Sequence, residues 1–231
     1  MQPLNLKDVD VDEAVQGAAA AVDGDTRLGF LRKGAAAGGG LIGAGAVLAA
    51  FVPGAAAANS GSGRPPAKFG PGDVGILNYA LTLEYLESAF YTEALHAQIA
   101  RTPQLKQFVQ TVVTDETAHV HLLKSALGSK AVARPKFDFQ GVPQDLKKFL
   151  ATAYVLENTG VRAYHGQFAN FSAQAYLITA TEVATVEARH AGAIALYLGQ
   201  AIAPQGPLDK PLTAAAVLAK VKSTGFIPSL G

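Results

Sequence analysis

The sequence predicts an all-α protein, an antiparallel four-helix bundle with one long crossover between its second and third helices. Three observations predict it. Apolar residues recur at helical spacing in four segments between residues 73 and 199, each bounded by Gly, Pro or capping residues. The quartet Glu116-Thr117-Ala118-His119 recurs as Glu187-Ala188-Arg189-His190, offset by 71 residues, and Leu83-Glu84 with Tyr91 recurs as Leu156-Glu157 with Tyr164, offset by 73. The resulting order is Glu, Glu-x-x-His, Glu, Glu-x-x-His, with one group per helix. A Glu and a His three residues apart share a helix face, so two such pairs and two further Glu can enclose two metal ions inside a bundle.

Residues 1–25 are polar, without periodicity, and are expected to be disordered. Arg27, Arg32 and Lys33 then precede a charge-free Ala/Gly-rich run over 34–58, ending in Ala56-Ala57-Ala58. That layout is expected of an export signal, and its length and Gly/Ala-rich core are similar to a twin-arginine leader. Leu28 stands where the second arginine of that pair would be. The run is also long enough to serve as a membrane anchor. Residues 59–72 have the composition of a linker.

Asp73 suits an N-cap, and the first helix is expected to run to about Ala100 with Leu77, Leu81, Glu84, Ser88, Tyr91 and Leu95 on one seam. Thr102-Pro103 opens the second helix, which passes Val109, Val113, Glu116, Val120 and Leu123 and stops at Gly128. The short turn between them makes an antiparallel hairpin. Residues 128–143 carry Pro135, Gly141 and Pro143 and are read as the crossover. The third helix is expected from near Asp145 to about Phe168. The fourth opens at Ser172 and ends at Gly199. A tail over 200–231, broken by Pro204, Pro207 and Pro211, carries one short helix from Thr213 to Lys222. The bundle domain is thus 73–199.

With 231 residues, one domain and a leader account for the chain, and the core can be sizeable. The net charge of +1, without a basic stripe, excludes a nucleic-acid partner. The absence of Cys excludes disulfides, thiolate metal sites and thiol catalysis.

These motifs resemble the ferritin-like superfamily, and within it the exported branch of ferritin-like-domain and desiccation-related proteins. The text Leu77-Asn78-Tyr79-Ala80-Leu81-Thr82-Leu83-Glu84-Tyr85-Leu86-Glu87 is similar to that branch's first-helix signature, and Tyr91 matches a tyrosine that bacterial members carry near the metals. The resemblance spans about residues 70–200. It implies two iron or manganese ions held by Glu84, Glu116, His119, Glu157, Glu187 and His190. By analogy Glu116 and Glu187 bridge the ions, with Glu84 and Glu157 at the two ends; which His joins which Glu is open. Oxygen donors with imidazole and no sulfur suit iron or manganese.

Glu87 lies about 60° around the helix axis from Glu84. The repeat places Gly160 at its equivalent, so Glu87 is expected behind the ligands or at the surface. Glu182 and Asp115 are expected in similar places, and His121, His165 and His96 are read as ordinary histidines. Tyr91 and Tyr164 either hydrogen-bond the carboxylates, relay electrons, or are plain core residues.

Two functions follow from the resemblance. One is an exported or membrane-tethered oxidoreductase acting on peroxide, dioxygen or ferrous iron, in the manner of a catalase, peroxidase or ferroxidase. Without Cys there is no fused rubredoxin-type electron centre, which favours disproportionation or ferroxidation. The other is a non-enzymatic metal-binding or stress-protective bundle. A homo-oligomer is compatible with both.

Overall fold

The computed structural model describes residues 63–229. The leader, the disordered segment and residues 59–62 of the linker, as read above, lie outside the described residues. The described chain is helical, with α1 (Gly72–His96), α2 (Pro103–Leu127), α3 (Leu146–His165), α4 (Gln174–Leu198) and a short α5 (Ala214–Thr224). None of these helices is long and apolar enough to cross a membrane.

The helix ends follow local chemistry. Thr102 accepts a hydrogen bond from the Leu105 amide at 3.2 Å with Pro103 at the first position, and Asp145 accepts from Lys148 at 2.9 Å. Each such cap stabilises its helix by about 1 kcal/mol. Asp73 differs from its expected role. It sits inside the first turn of α1, and its carboxylate accepts the amides of Ser172 and Ala173 at 2.9 and 2.8 Å. It therefore orders the start of α4, which has no side-chain cap of its own. The third helix stops at His165, short of Phe168. At Gly166 the chain turns where an added Cβ would lie 1.8 Å from the Leu212 carbonyl oxygen, so only glycine admits the returning tail.

Pairing of α1 with α2 and of α3 with α4 gives two hairpins. Tyr91 of α1 reaches Glu157 of α3, and Tyr164 reaches Glu84, so these helices run antiparallel. It follows that α2 and α3 are parallel, and the chain between them must travel the length of the bundle. A 25-residue helix is roughly 37 Å long. The extended stretch 131–139 provides roughly 30 Å of that. It starts at Asn78, whose side chain binds Val132 N and Lys130 O, and its far end is tied where Gln144 donates to Glu93. The crossover lies along α1.

Two apolar clusters fill the interior. One contains Leu77, Leu81, Tyr85, Leu123, Leu127 and Val183. The other holds Phe90, Val109, Val112, Phe149 and Ile194, and is closed by Phe139 of the crossover and Phe226 and Ile227 of the tail. Phe90 stacks on Phe149 at 5.4 Å and meets Phe139 edge-on at 5.4 Å. Part of the segment read as linker is packed as well. Phe69 is buried edge-on to Tyr79, and Gly63 accepts from the Gln167 side chain.

Candidate metal centre

Between the two apolar clusters lies a charged layer. Glu84, Glu116, Glu157 and Glu187 are each 0% exposed, with His119 and His190 at 7% and 5%. Burial of Glu on this scale occurs only with pairing or coordination. Each side chain sits on the inward stripe of its helix at the depth where the stripe passes from one cluster to the other. The six donors form two overlapping groups, each with ligand atoms within 4.8 Å of one another. Glu84 and His119 belong to one, Glu157 and His190 to the other, and Glu116 and Glu187 to both. The His-to-Glu pairing left open by the sequence is thereby read from the geometry.

His119 Nδ1 stands 3.2 Å from Glu84, 3.5 Å from Glu116 and 3.1 Å from Glu187. His190 Nδ1 stands 3.2 Å from Glu116 and 3.4 Å from Glu157, too poorly aligned for hydrogen bonds. Its other nitrogen, Nε2, lies 3.1 Å from Asp115. Tyr91 donates to Glu157 Oε1 and Tyr164 to Glu84 Oε1, both at 2.5 Å. Each tyrosine thus fixes the terminal carboxylate of the opposite hairpin.

The electrostatics are strained in one direction. Burial raises the Glu116 carboxyl to about 7, helped by the charge of Glu84. Burial, then Glu116 and Glu84, push Glu187 well above the usual carboxylate range. Glu84 is the exception: burial raises it, but the hydrogen bond and charge of His119 outweigh burial and hold it low. Burial would discharge both histidines, yet the carboxylates around them win. Glu116, Glu187 and Glu84 raise His119 far above its ordinary value, and Glu116 and Glu157 take His190 up to about 11. Burial and the adjoining carboxylates raise both tyrosines, so they remain donors.

Glu87 is 4% exposed, which overturns a surface position. Its Oε1 lies 3.3 Å from where a Cβ at Gly160 would stand, and Glu187 Oε2 lies 3.6 Å from the same point. The missing side chain at Gly160 is thus the space that Glu87 occupies. Of the two places expected for Glu87, the one behind the Glu–His set is the one it occupies. Asp115, half-buried, backs His190. Glu182, His121 and His96 are exposed. His165 is half-buried and lies 5.1 Å from the Phe168 ring, away from the cluster.

The donor set fits a pair of divalent cations. Five carboxylates are buried (Glu84, Glu87, Glu116, Glu157, Glu187), and no Lys or Arg is buried among the described residues. Both oxygens of Glu116, both of Glu187, Glu157 Oε2 and His190 Nδ1 are buried without a hydrogen-bond partner. Leaving such groups unpaired is costly, and bound cations would satisfy them together.

A family model described as the ferritin-like domain matches residues 72–200. A comparison with curated proteins finds no match.

Proposed function

Because the chain belongs to the ferritin-like family, we propose that this Glu–His layer binds two iron or manganese ions and that the loaded protein is a redox enzyme acting on peroxide, dioxygen or ferrous iron. The observation that carries the reading is the set of unpaired buried oxygens on Glu116 and Glu187, shared by both donor groups. A bound iron or manganese pair would supply two-electron redox chemistry toward peroxide or dioxygen.

The residues around it have separable tasks. Glu116 and Glu187, which belong to both donor groups, would hold both ions, and Glu84 and Glu157 would each hold one. Tyr91 and Tyr164 hold those end carboxylates in one orientation through their O–H groups. Asp115 stands 3.1 Å from His190 Nε2, where it would accept that nitrogen's proton in a hydrogen bond and leave Nδ1 free to donate to a bound ion. The flanking apolar clusters exclude bulk water. A small cavity beside Glu87, walled by Leu86, Thr159, Gly160 and Val221, favours a very small substrate.

A second reading, metal binding without turnover, is favoured by the same confinement, since no broad cleft reaches the layer among the described residues. Reconstituting the full chain with iron or manganese distinguishes the two. The proposal expects about two ions per chain, with consumption of peroxide or oxidation of ferrous iron. Fewer than about half an ion after both reconstitutions overturns the dinuclear reading. Two ions without turnover of either substrate selects the second.

The charge layout of residues 26–58 supports an exported or tethered protein, related in location to the desiccation-related branch. A reporter fused after Asn59 should leave the cytoplasm. Wholly cytoplasmic reporter would refute this.

A further inference from the structure

The two hairpins repeat their ligands but not what stands behind them. At the position before the bridging glutamate, the first hairpin has Asp115 and the second has Val186. Three residues after the end glutamate, α1 has Glu87 and α3 has Gly160. Both differences act on one end of the layer. Asp115 contacts His190, not His119, at 3.1 Å. Glu87 projects into the space over Gly160, one turn from Glu157 on α3, where it also approaches Glu187.

Resting on the dinuclear reading, we infer that the two metal positions are inequivalent, and that the Glu157–His190 position fills first and holds its ion more tightly than the Glu84–His119 position. Two effects produce the preference. A carboxylate accepting from the far nitrogen of a ligating imidazole fixes its tautomer and ring orientation and makes it a better donor, an effect typically worth 10- to 100-fold in metal affinity. His190 has this partner in Asp115. The matching residue of the other hairpin, Val186, has no acceptor to offer. An additional buried carboxylate on the same side, Glu87, increases the attraction for a cation there, and the low-dielectric surroundings screen it little. Asp115 is a positioning residue, acting through His190, while Glu87 acts by its charge from the space over Gly160, beside Glu187.

The test is a Mn(II) titration of the metal-free full chain, followed by the signal of unbound Mn(II), with anomalous scattering from crystals loaded with one equivalent. The expected result is two binding steps separated by at least about 10-fold, and Mn(II) concentrated at the Glu157–His190 position at half-loading. Asp115→Asn and Glu87→Gln keep the side-chain shapes. Each should weaken the first step by about 10- to 100-fold and leave the second nearly unchanged. The double variant should place Mn(II) at both positions evenly or favour Glu84–His119. Even occupancy in the unaltered protein at half-loading overturns the inference, as does an occupancy ratio that Asp115→Asn and Glu87→Gln leave unmoved. Failure to bind either Mn(II) or Fe(II) at either position, even in excess, overturns the dinuclear reading itself, a result distinct from even filling.

Discussion

The α1–α2 and α3–α4 hairpins present the same Glu and His set to the same layer, yet α1 is clothed differently from the other helices. In α1 every residue from Gly75 to Glu87 is buried. The crossover lies along it, Phe69 packs beside it, and α5 lines the cavity it shares with α3. The other three helices each keep an outer face in water: Leu122 of α2 is 44% exposed, Val155 of α3 51%, and Ile178 and Leu196 of α4 52% and 73%. Both hairpins place their Glu and His side chains by helix register, whereas the outer surroundings come from connections that the repeat does not contain. Duplication therefore explains the centre of this molecule, and the asymmetric loops explain its periphery.

The sharpest way to break the comparison is to remove a shared carboxylate. Glu116→Ala and Glu187→Ala lie in different hairpins but contribute to both donor groups. Each should abolish stable loading of both ions, read as metal content after gel filtration; loss of only one ion in either variant would deny that the carboxylate is shared. Removing an end carboxylate should do less. Glu84→Ala and Glu157→Ala should each lower the content from about two ions to about one, with the surviving ion at the opposite end in each case.

Acidity tests both hairpins together. Glu116 has its carboxyl raised from 4.5 to about 7, so between those values the folded metal-free chain holds a proton that the unfolded chain has released. Stability from that group therefore falls as pH rises through the window. His190, raised from 6.5 to about 11, contributes stability that is complete below about 6.5 and fades as pH approaches 11. These two groups act in the same direction. Metal-free protein should melt at a lower temperature at about pH 8 than at about pH 5, and the gain on adding Mn(II) should widen with pH. A metal-free melting temperature that climbs over this range would contradict the assignment.

The crossed tyrosines should behave as a matched pair. Tyr91→Phe and Tyr164→Phe each remove one hydrogen bond to a buried carboxylate, a loss of about 1.5–3 kcal/mol for a charged acceptor. Chemical denaturation should find similar losses for both. The smallest effect concerns caps. Asp145→Ala removes a cap within its own hairpin, and Asp73→Ala removes one given by the first hairpin to the second. Each should cost about 1 kcal/mol. Only Asp73→Ala should speed amide exchange at Ser172 and Ala173.

The four long helices and the six converging donors were legible because periodicity and spacing determine which side of a helix a residue occupies. What spacing leaves undetermined is the neighbour on that side. Leu77 to Leu95 read as one seam, but the crossover and tail bury the other faces too. Each Tyr was readable as sharing a face with its own Glu, seven residues away, yet its hydroxyl reaches the Glu of the facing helix. Asp73 carries the composition of a cap without revealing whose amides it takes. For Glu87 the repeat left two places open, behind the ligands or at the surface, because it does not reveal that a glycine in one copy creates space for a longer side chain from the other. Phe226 and Ile227 lie in a Pro-rich tail with no periodicity long enough to announce burial.

The charged layer also divides the interior. Because Glu84, Glu116, Glu157 and Glu187 interrupt all four helices at one depth, the bundle has two apolar cores joined by a polar seam. Cooperative unfolding depends on how firmly neighbouring units are coupled. Ions at the seam would fasten all four helices at their midpoints and make the two cores respond as one. Without them the cores would be coupled through the four helices alone, and the end closed by Phe139, Phe226 and Ile227 has the additional packing.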